Sequence, residues 1–247
     1  MRLTRLLPFA LLGSSIAIPA PASAQAAGEC VRADTPPPRV AGDTTLNEFH
    51  EDLRHGAVFR CMLGRGRVLT RLVVRADEGG TPTGLEVYAP HGAARPAQRL
   101  AVKAIEPPRR GRDFVEAVDL NADGWLDLMV MIWWGATGNT GYDVFLYDPA
   151  ARRFARSAAL SDRSNPEPVA GRACVSTHSV GGSGGLVYSR GEFCWRGGTW
   201  VRVRDESQAW DEARSTRRTA VYVRTIRVRR GGRMRTVSVR TIREPIE

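Results

Sequence analysis

Asp119, Asn121, Asp123 and Asp127 place oxygen-bearing side chains at positions 1, 3, 5 and 9 of one stretch, Asp119-Leu-Asn-Ala-Asp-Gly-Trp-Leu-Asp127, with Gly124 at position 6. Hard cations such as calcium take six to eight oxygen ligands at about 2.3–2.6 Å. Alternation around a tight turn points the first three side chains inward, and Asp127 adds another carboxylate. The Trp125 carbonyl can supply a backbone oxygen at position 7. Glycine at position 6 allows the sharp bend. Three neighbouring carboxylates repel one another unless a cation sits between them, so calcium is the expected cofactor. The competing reading is a metal-free turn, for which Asp, Asn and Gly are also suited.

The stretch is not an EF-hand, which needs a bidentate Glu at position 12; Val130 stands there. Its flanks, Phe114–Asp119 and Leu126–Trp134, are β-branched, aromatic and apolar, so they read as strands. A strand–loop–strand calcium site follows.

A second candidate is Gly181-Gly-Ser-Gly-Gly-Leu-Val-Tyr188. A loop of small residues can approach a partner closely. Ser183 offers a hydroxyl, Gly184 flexibility, and Tyr188 a rigid amphipathic ring of the kind that anchors interfaces. A plain hairpin turn is the alternative. The four histidines carry no ligand or catalytic spacing: His50 and His55 are five apart, His91 and His178 stand alone, and all read as surface or structural residues. The sequence shows no Ser-His-Asp order, nucleophile elbow or phosphate loop. No catalytic residue is expected, and the chain reads as a non-enzyme.

The elements that position these residues are strands. From about residue 45 to 205 the sequence alternates short β-rich runs with turns, at 67–76, 84–89, 98–105, 112–119, 127–134, 142–148, 172–180, 186–195 and 199–204. Helical periodicity is nearly absent; Leu46–Arg54 is the best short helix candidate. This predicts an all-β domain over 46–208, antiparallel and either propeller-like or sandwich-like.

Ahead of it, residues 1–24 have the layout of a signal peptide: Arg2 and Arg5, an apolar core from Leu6 to Ile18, and Ala22-Ser-Ala24 as a cleavage site. The apolar run is too short to span a bilayer, so the protein is expected to be periplasmic or secreted and not transmembrane. Cys30 follows Glu29 where a lipobox has a small residue, so lipid attachment is not expected. Residues 25–45, with Pro36-Pro-Pro38, read as a linker.

All four cysteines follow the signal, which in an oxidising compartment predicts two disulfides. Three connectivities are open. Folding 172–180 against 186–195 as a hairpin puts Cys174 nearly opposite Cys194, and Cys30–Cys61 is then what remains.

The formal net charge of +10 is unevenly spread. The signal carries +2, and residues 214–247 hold eleven arginines against Glu244 and Glu247, which leaves 25–213 near neutral at −1. Export argues against nucleic acid as the partner of that basic segment. An anionic envelope polymer or lipid suits it. Two readings of 209–247 stay open. One is a hairpin joined at Gly231-Gly232, which suits a type I′ turn. The other is disorder, since an isolated hairpin is marginal in water.

Asp119-x-Asn-x-Asp-Gly-x-x-Asp127 resembles the calcium loop of FG-GAP repeats, here in a single copy. The longer order continues with Gly138-Asn-Thr-Gly-Tyr-Asp-Val-Phe-Leu-Tyr-Asp148, Arg153-Phe154, Leu160-Ser161, Asn165-Pro166, the glycine hairpin and Trp195-Arg-Gly-Gly198. Over about 112–205 the chain is similar to a family of periplasmic calcium-binding lysozyme-inhibitor and immunity proteins, which act against a peptidoglycan-hydrolase effector of type IV secretion systems. The resemblance implies a compact β-propeller-like fold, a structural calcium and blockage of a hydrolase cleft. Gly182-Ser-Gly-x-x-x-Tyr188 also resembles the Ser-Gly-x-x-Tyr loop of bacterial lysozyme inhibitors, with the tyrosine one position later, which implies partner contact through Ser183, Gly184 and Tyr188. The expected function is therefore inhibition of a lysozyme-like enzyme. The alternative is a calcium-dependent adhesion or glycan-binding module of the envelope.

Overall fold

The structure is a computed structural model that describes residues 27–28, 30–33, 53, 56–63, 68–108, 114–161 and 163–246. The signal segment, the helix candidate Leu46–Arg54 apart from Leu53, and His50 and His55 lie outside the described residues.

Three antiparallel sheets follow one another along the chain. The first runs β2 (Cys30–Arg32), β3 (Ala57–Leu63), β4 (Val68–Ala76), β5 (Pro82–Tyr88), β6 (Gln98–Ala101). The second orders β1 (Ala27–Gly28), β7 (Val115–Val118), β8 (Asp127–Trp134), β9 (Thr140–Asp148), β10 (Arg153–Arg156). The third comprises β11 (Glu167–Pro168), β12 (Cys174–Val180), β13 (Tyr188–Arg196), β14 (Thr199–Trp210), β15 (Thr219–Arg230) and β16 (Arg233–Pro245). No α-helix occurs among the described residues, and the sheets do not close into a barrel. The all-β expectation holds.

The second sheet lies at the centre because β8 is apolar on both faces. Its run Leu128-Met-Val-Met-Ile132 is buried throughout, the pattern of a strand covered on two sides. Leu128 and Val130 join Phe59, Leu72, Leu85 and Phe145 in a core shared with the first sheet. Met129 and Val144 face the other way and pack with Leu120 and Leu160 and, from the third sheet, Val175 and Phe193.

Three strands of the domain escaped the sequence reading, β3, β10 and β11. In β3, Ala57, Phe59, Cys61 and Leu63 are buried on alternate positions, a period-2 signal masked by apolar Val58 and Met62 on the outward phase beside Arg60. The others are short: β10 has four residues and β11 two. Part of the segment read as a linker is also strand: Ala27 and Gly28 pair with Val118 and Ala117, and Cys30–Arg32 pairs with Cys61, Arg60 and Phe59. Pairing is possible there because Cys30 is bonded to Cys61. Cys174 lies opposite Cys194 in the β12–β13 register and is bonded to it.

Of the two readings for the C-terminal segment, the structure contains the hairpin. Gly231 and Gly232 have φ of 56° and 78° between β15 and β16, the left-handed pair a type I′ turn requires. The hairpin is not isolated, since β15 pairs with β14 from Arg204 to Trp210.

Candidate functional site

The loop 119–126 joins β7 to β8, and the local sequence explains its shape. Ala122 and Gly124 take φ of 56° and 83°, so the backbone reverses twice in three residues. Amides then turn inward. Asp119 Oδ2 accepts the Gly124 amide at 2.9 Å, and its Oδ1 accepts that of Asp123 at 3.2 Å. Asn121 Oδ1 also accepts from the Asp123 amide, and the Asn121 side-chain amide donates to Asp123 Oδ2 at 3.0 Å. Asp123 Oδ1 takes the Trp125 amide at 2.8 Å.

Asp127 behaves differently. It is fully buried, and its two oxygens accept backbone amides from different parts of the chain, Leu120 at 3.0 Å and Tyr147 at 2.9 Å. The sequence did not foretell this role, which clamps the loop and β9 to the start of β8.

Burial dominates the electrostatics. It pushes the Asp127 carboxyl up to about 8, against the pull of the Tyr147 and Leu120 amides and with the repulsion of Asp123 and Asp119. Burial likewise raises Asp119, which is 4% exposed. Two carboxyls thus sit out of water beside a third carboxylate, with no ion pair to any described residue. Buried charge of this kind is neutralised, paired or held by a metal.

An all-oxygen donor set with uncompensated negative charge fits a hard cation. The spacing is wider than a shared coordination shell. Among the described residues the three acid or thiol groups whose ligand atoms all lie within 4.8 Å of one another are Cys174, Glu192 and Cys194. Both of those thiols are spent in a disulfide, whereas Asp119, Asp123 and Asp127 do not converge to that degree.

The glycine hairpin lies on the third sheet, apart from this loop. Ser183–Gly185 forms a single 3-10 turn at the tip of β12–β13. Ser183 and Gly184 are exposed, and both are left-handed, at φ 58° and 62°. For serine that conformation is strained by about 1–2 kcal/mol. The base of the hairpin is braced at two places. Asn139 exchanges two hydrogen bonds with the backbone of Val180, at 2.7 and 2.8 Å, and the Cys174–Cys194 bond closes its far end. Asn139 sits in the Gly138–Asp148 run that carried part of the resemblance, so its position was marked but its role was not.

Tyr188 begins β13 and is half-buried. Its hydroxyl donates to Glu206 Oε1 at 3.0 Å; burial and that bond raise its pKa. Glu206 also binds Arg204 at 2.9 Å and Arg224 at 2.7 Å. Burial works against the Glu206 carboxylate, but these hydrogen bonds hold its pKa below the ordinary range. Ser176, His178, Arg190, Glu192, Arg204 and Glu206 line an open cavity of about 400 Å³ on the same face. Glu206 was not anticipated; the alternation Arg204-x-Glu206-x-Gln208 is its only trace in the sequence. Ser183, Gly184 and Tyr188 therefore share one hairpin, with the first two at its tip and the ring fixed at its base.

Next to the calcium-type loop, Trp125 and Tyr147 place their rings 5.4 Å apart, and Tyr147 meets Phe154 edge-on at 5.0 Å. These three aromatics line a cavity of about 650 Å³.

Fold and disulfides define the class: an all-β chain stapled twice, which fits an extracytoplasmic protein. No helix of the described residues is long and apolar enough to cross a membrane. No family model and no curated protein matches the chain. Among solved structures it is similar to a Xanthomonas type IV secretion system related protein, at 20% identity and a TM-score of 0.45, over 69% of this chain and 91% of that one.

Proposed function

We propose that this protein is an exported inhibitor of a lysozyme-like peptidoglycan hydrolase, held in shape by a structural calcium ion in the periplasm or outside the cell. The observation that carries the reading is Ser183: an exposed serine held left-handed at φ 58° on the tip of a hairpin. Strain of this kind gathers where a surface is shaped for a partner. Asn139 and the Cys174–Cys194 bond brace the hairpin before any partner arrives, which lowers the ordering cost of binding. Ser183 and Gly184 would enter the hydrolase cleft, and Tyr188 would support them from β13. Asp119, Asn121, Asp123, Asp127 and the Trp125 carbonyl would hold calcium, which would supply the positive charge that the buried carboxylates lack. Their present spread means that binding would draw the loop tighter.

The test is inhibition of a panel of lysozymes and peptidoglycan hydrolases by the purified protein, repeated with Gly181–Gly185 shortened. The expected result is nanomolar inhibition of at least one enzyme, lost in the shortened hairpin. No inhibition across the panel would overturn the reading. The second reading, a calcium-dependent adhesion or glycan-binding module, is favoured by the aromatic cavity at Trp125, Tyr147 and Phe154. A glycan array would then give the signal that the hydrolase panel lacks.

A further inference from the structure

The third sheet ends on β16, an edge strand of 13 residues. At ~3.3 Å per residue it is about 40 Å long. An edge of that length offers a row of backbone donors and acceptors with no neighbouring strand among the described residues. Its side chains divide into two kinds.

The first kind is cationic. On β15, Arg224 is held by Glu206 and Arg227 by Asp205, while Arg229 donates to the carbonyls of Arg202 and Gly232. Arg230, Arg233, Arg235, Arg240 and Arg243 make no ion pair with any described residue. Four of those five belong to β16.

The second kind is apolar. Seven large hydrophobic side chains stand exposed among the described residues, and two of them, Val237 (46%) and Val239 (61%), lie two residues apart on β16, with Ile246 (51%) just past its end. Val237 is the extra residue where the β15–β16 register shifts between Ile226 and Arg227. It lies between the arginines at 235 and 240, beside Val239.

We infer that the β15–β16 hairpin docks edge-on to an anionic phospholipid surface. Guanidinium groups pair with phosphate in bidentate fashion, and the free amides of the edge add donors to the acceptor-only phosphate oxygens. A second copy of the chain fits poorly, because pairing β16 with itself sets one arginine ladder against another. A soluble polyanion would use the arginines but leave the valines without a role. A membrane surface uses both, charge at the headgroups and aliphatic side chains at the acyl boundary. The inference is independent of the inhibitor reading.

The experiment is co-sedimentation of the purified protein with vesicles of 30% phosphatidylglycerol in phosphatidylcholine, against pure phosphatidylcholine. Binding is expected only to the anionic vesicles and is expected to weaken steeply with salt. Each arginine contributes about fivefold, so R235Q/R240Q/R243Q loses roughly a hundredfold while R235K/R240K/R243K retains most of the binding. V237S/V239S, at exposed positions where folding is unaffected, is expected to lose about tenfold. Equal binding to neutral vesicles overturns the proposal. So does full displacement by polyphosphate together with an unaltered V237S/V239S, which would make the ribbon a polyanion site.

Discussion

Asp127 Oδ1 accepts the backbone amide of Tyr147 at 2.9 Å, joining the first residue of β8 to β9 from a fully buried position. With the second oxygen on Leu120 at 3.0 Å, this carboxylate is a structural clamp as well as a proposed calcium ligand. The two roles separate by mutation. Asp127→Ala leaves one buried and one partly buried amide without acceptors and should lower stability by about 2–4 kcal/mol, with or without calcium. Asp123 is exposed, so Asp123→Asn should change the metal-free stability by about 0.5 kcal/mol or less. It should nevertheless remove most of the calcium-dependent rise in Tm, which for the native chain corresponds to about 2.7 kcal/mol at a hundredfold excess over Kd. Scanning calorimetry with calcium and with chelator measures both, and an undiminished calcium response in Asp123→Asn would remove that residue from the site.

Tyr188 makes a second separation possible. Its hydroxyl is one of three groups on Glu206, and Arg204 and Arg224 remain when it is lost. Tyr188→Phe should therefore cost about 1 kcal/mol or less. If the ring supports the hairpin tip against a hydrolase, Tyr188→Phe keeps inhibition and Tyr188→Ala loses it by tenfold or more. Equal inhibition by both variants would confine recognition to Ser183 and its glycine neighbours.

Much of this was legible in the sequence for identifiable reasons. The period-2 runs and turn residues marked most strands, and the uninterrupted apolar run of β8 marked the central one, because burial on both faces leaves no polar alternation. The Cys174–Cys194 register followed from the symmetry of the hairpin about its glycines. What stayed hidden depends on tertiary contact. Asp127 reads as a ligand by position, but its hold on Tyr147 spans 20 residues. Glu206 is one charge among many until Tyr188, Arg204 and Arg224 converge on it. The C-terminal hairpin looked marginal because its support, the pairing of β15 with β14, is not a local property.

The Cys174–Cys194 bond closes a sequence separation of 20 residues that contains the whole glycine loop. In the chain-entropy model such a closure contributes about 3 kcal/mol. The double variant Cys174→Ala/Cys194→Ala should lower stability by roughly that amount. Amide exchange should rise most along β12 and β13, while β3, β4 and β5 keep their order of protection. An exchange increase spread evenly over all three sheets would mean that the hairpin is not a separable unit.

Glu86 sets the acid limit of the first sheet. Burial opposes its charge, but hydrogen bonds from Arg99 at 3.1 Å, Tyr88 at 2.9 Å and Arg75 at 2.9 Å hold its pKa at about 2, below the ordinary 4.5. A carboxylate depressed in the fold stabilises it above its unfolded pKa and loses that contribution as pH falls toward the folded value. The window is therefore about pH 4.5 down to 2. Both arginines are largely exposed, so solvent screening reduces the contribution to about 2 kcal/mol. Glu86→Gln should lower stability at neutral pH by that order and flatten the decline through this window. Denaturant titrations at pH 7, 4 and 2.5 provide the measurement, and parallel declines in the native protein and the variant would assign acid sensitivity to other carboxylates.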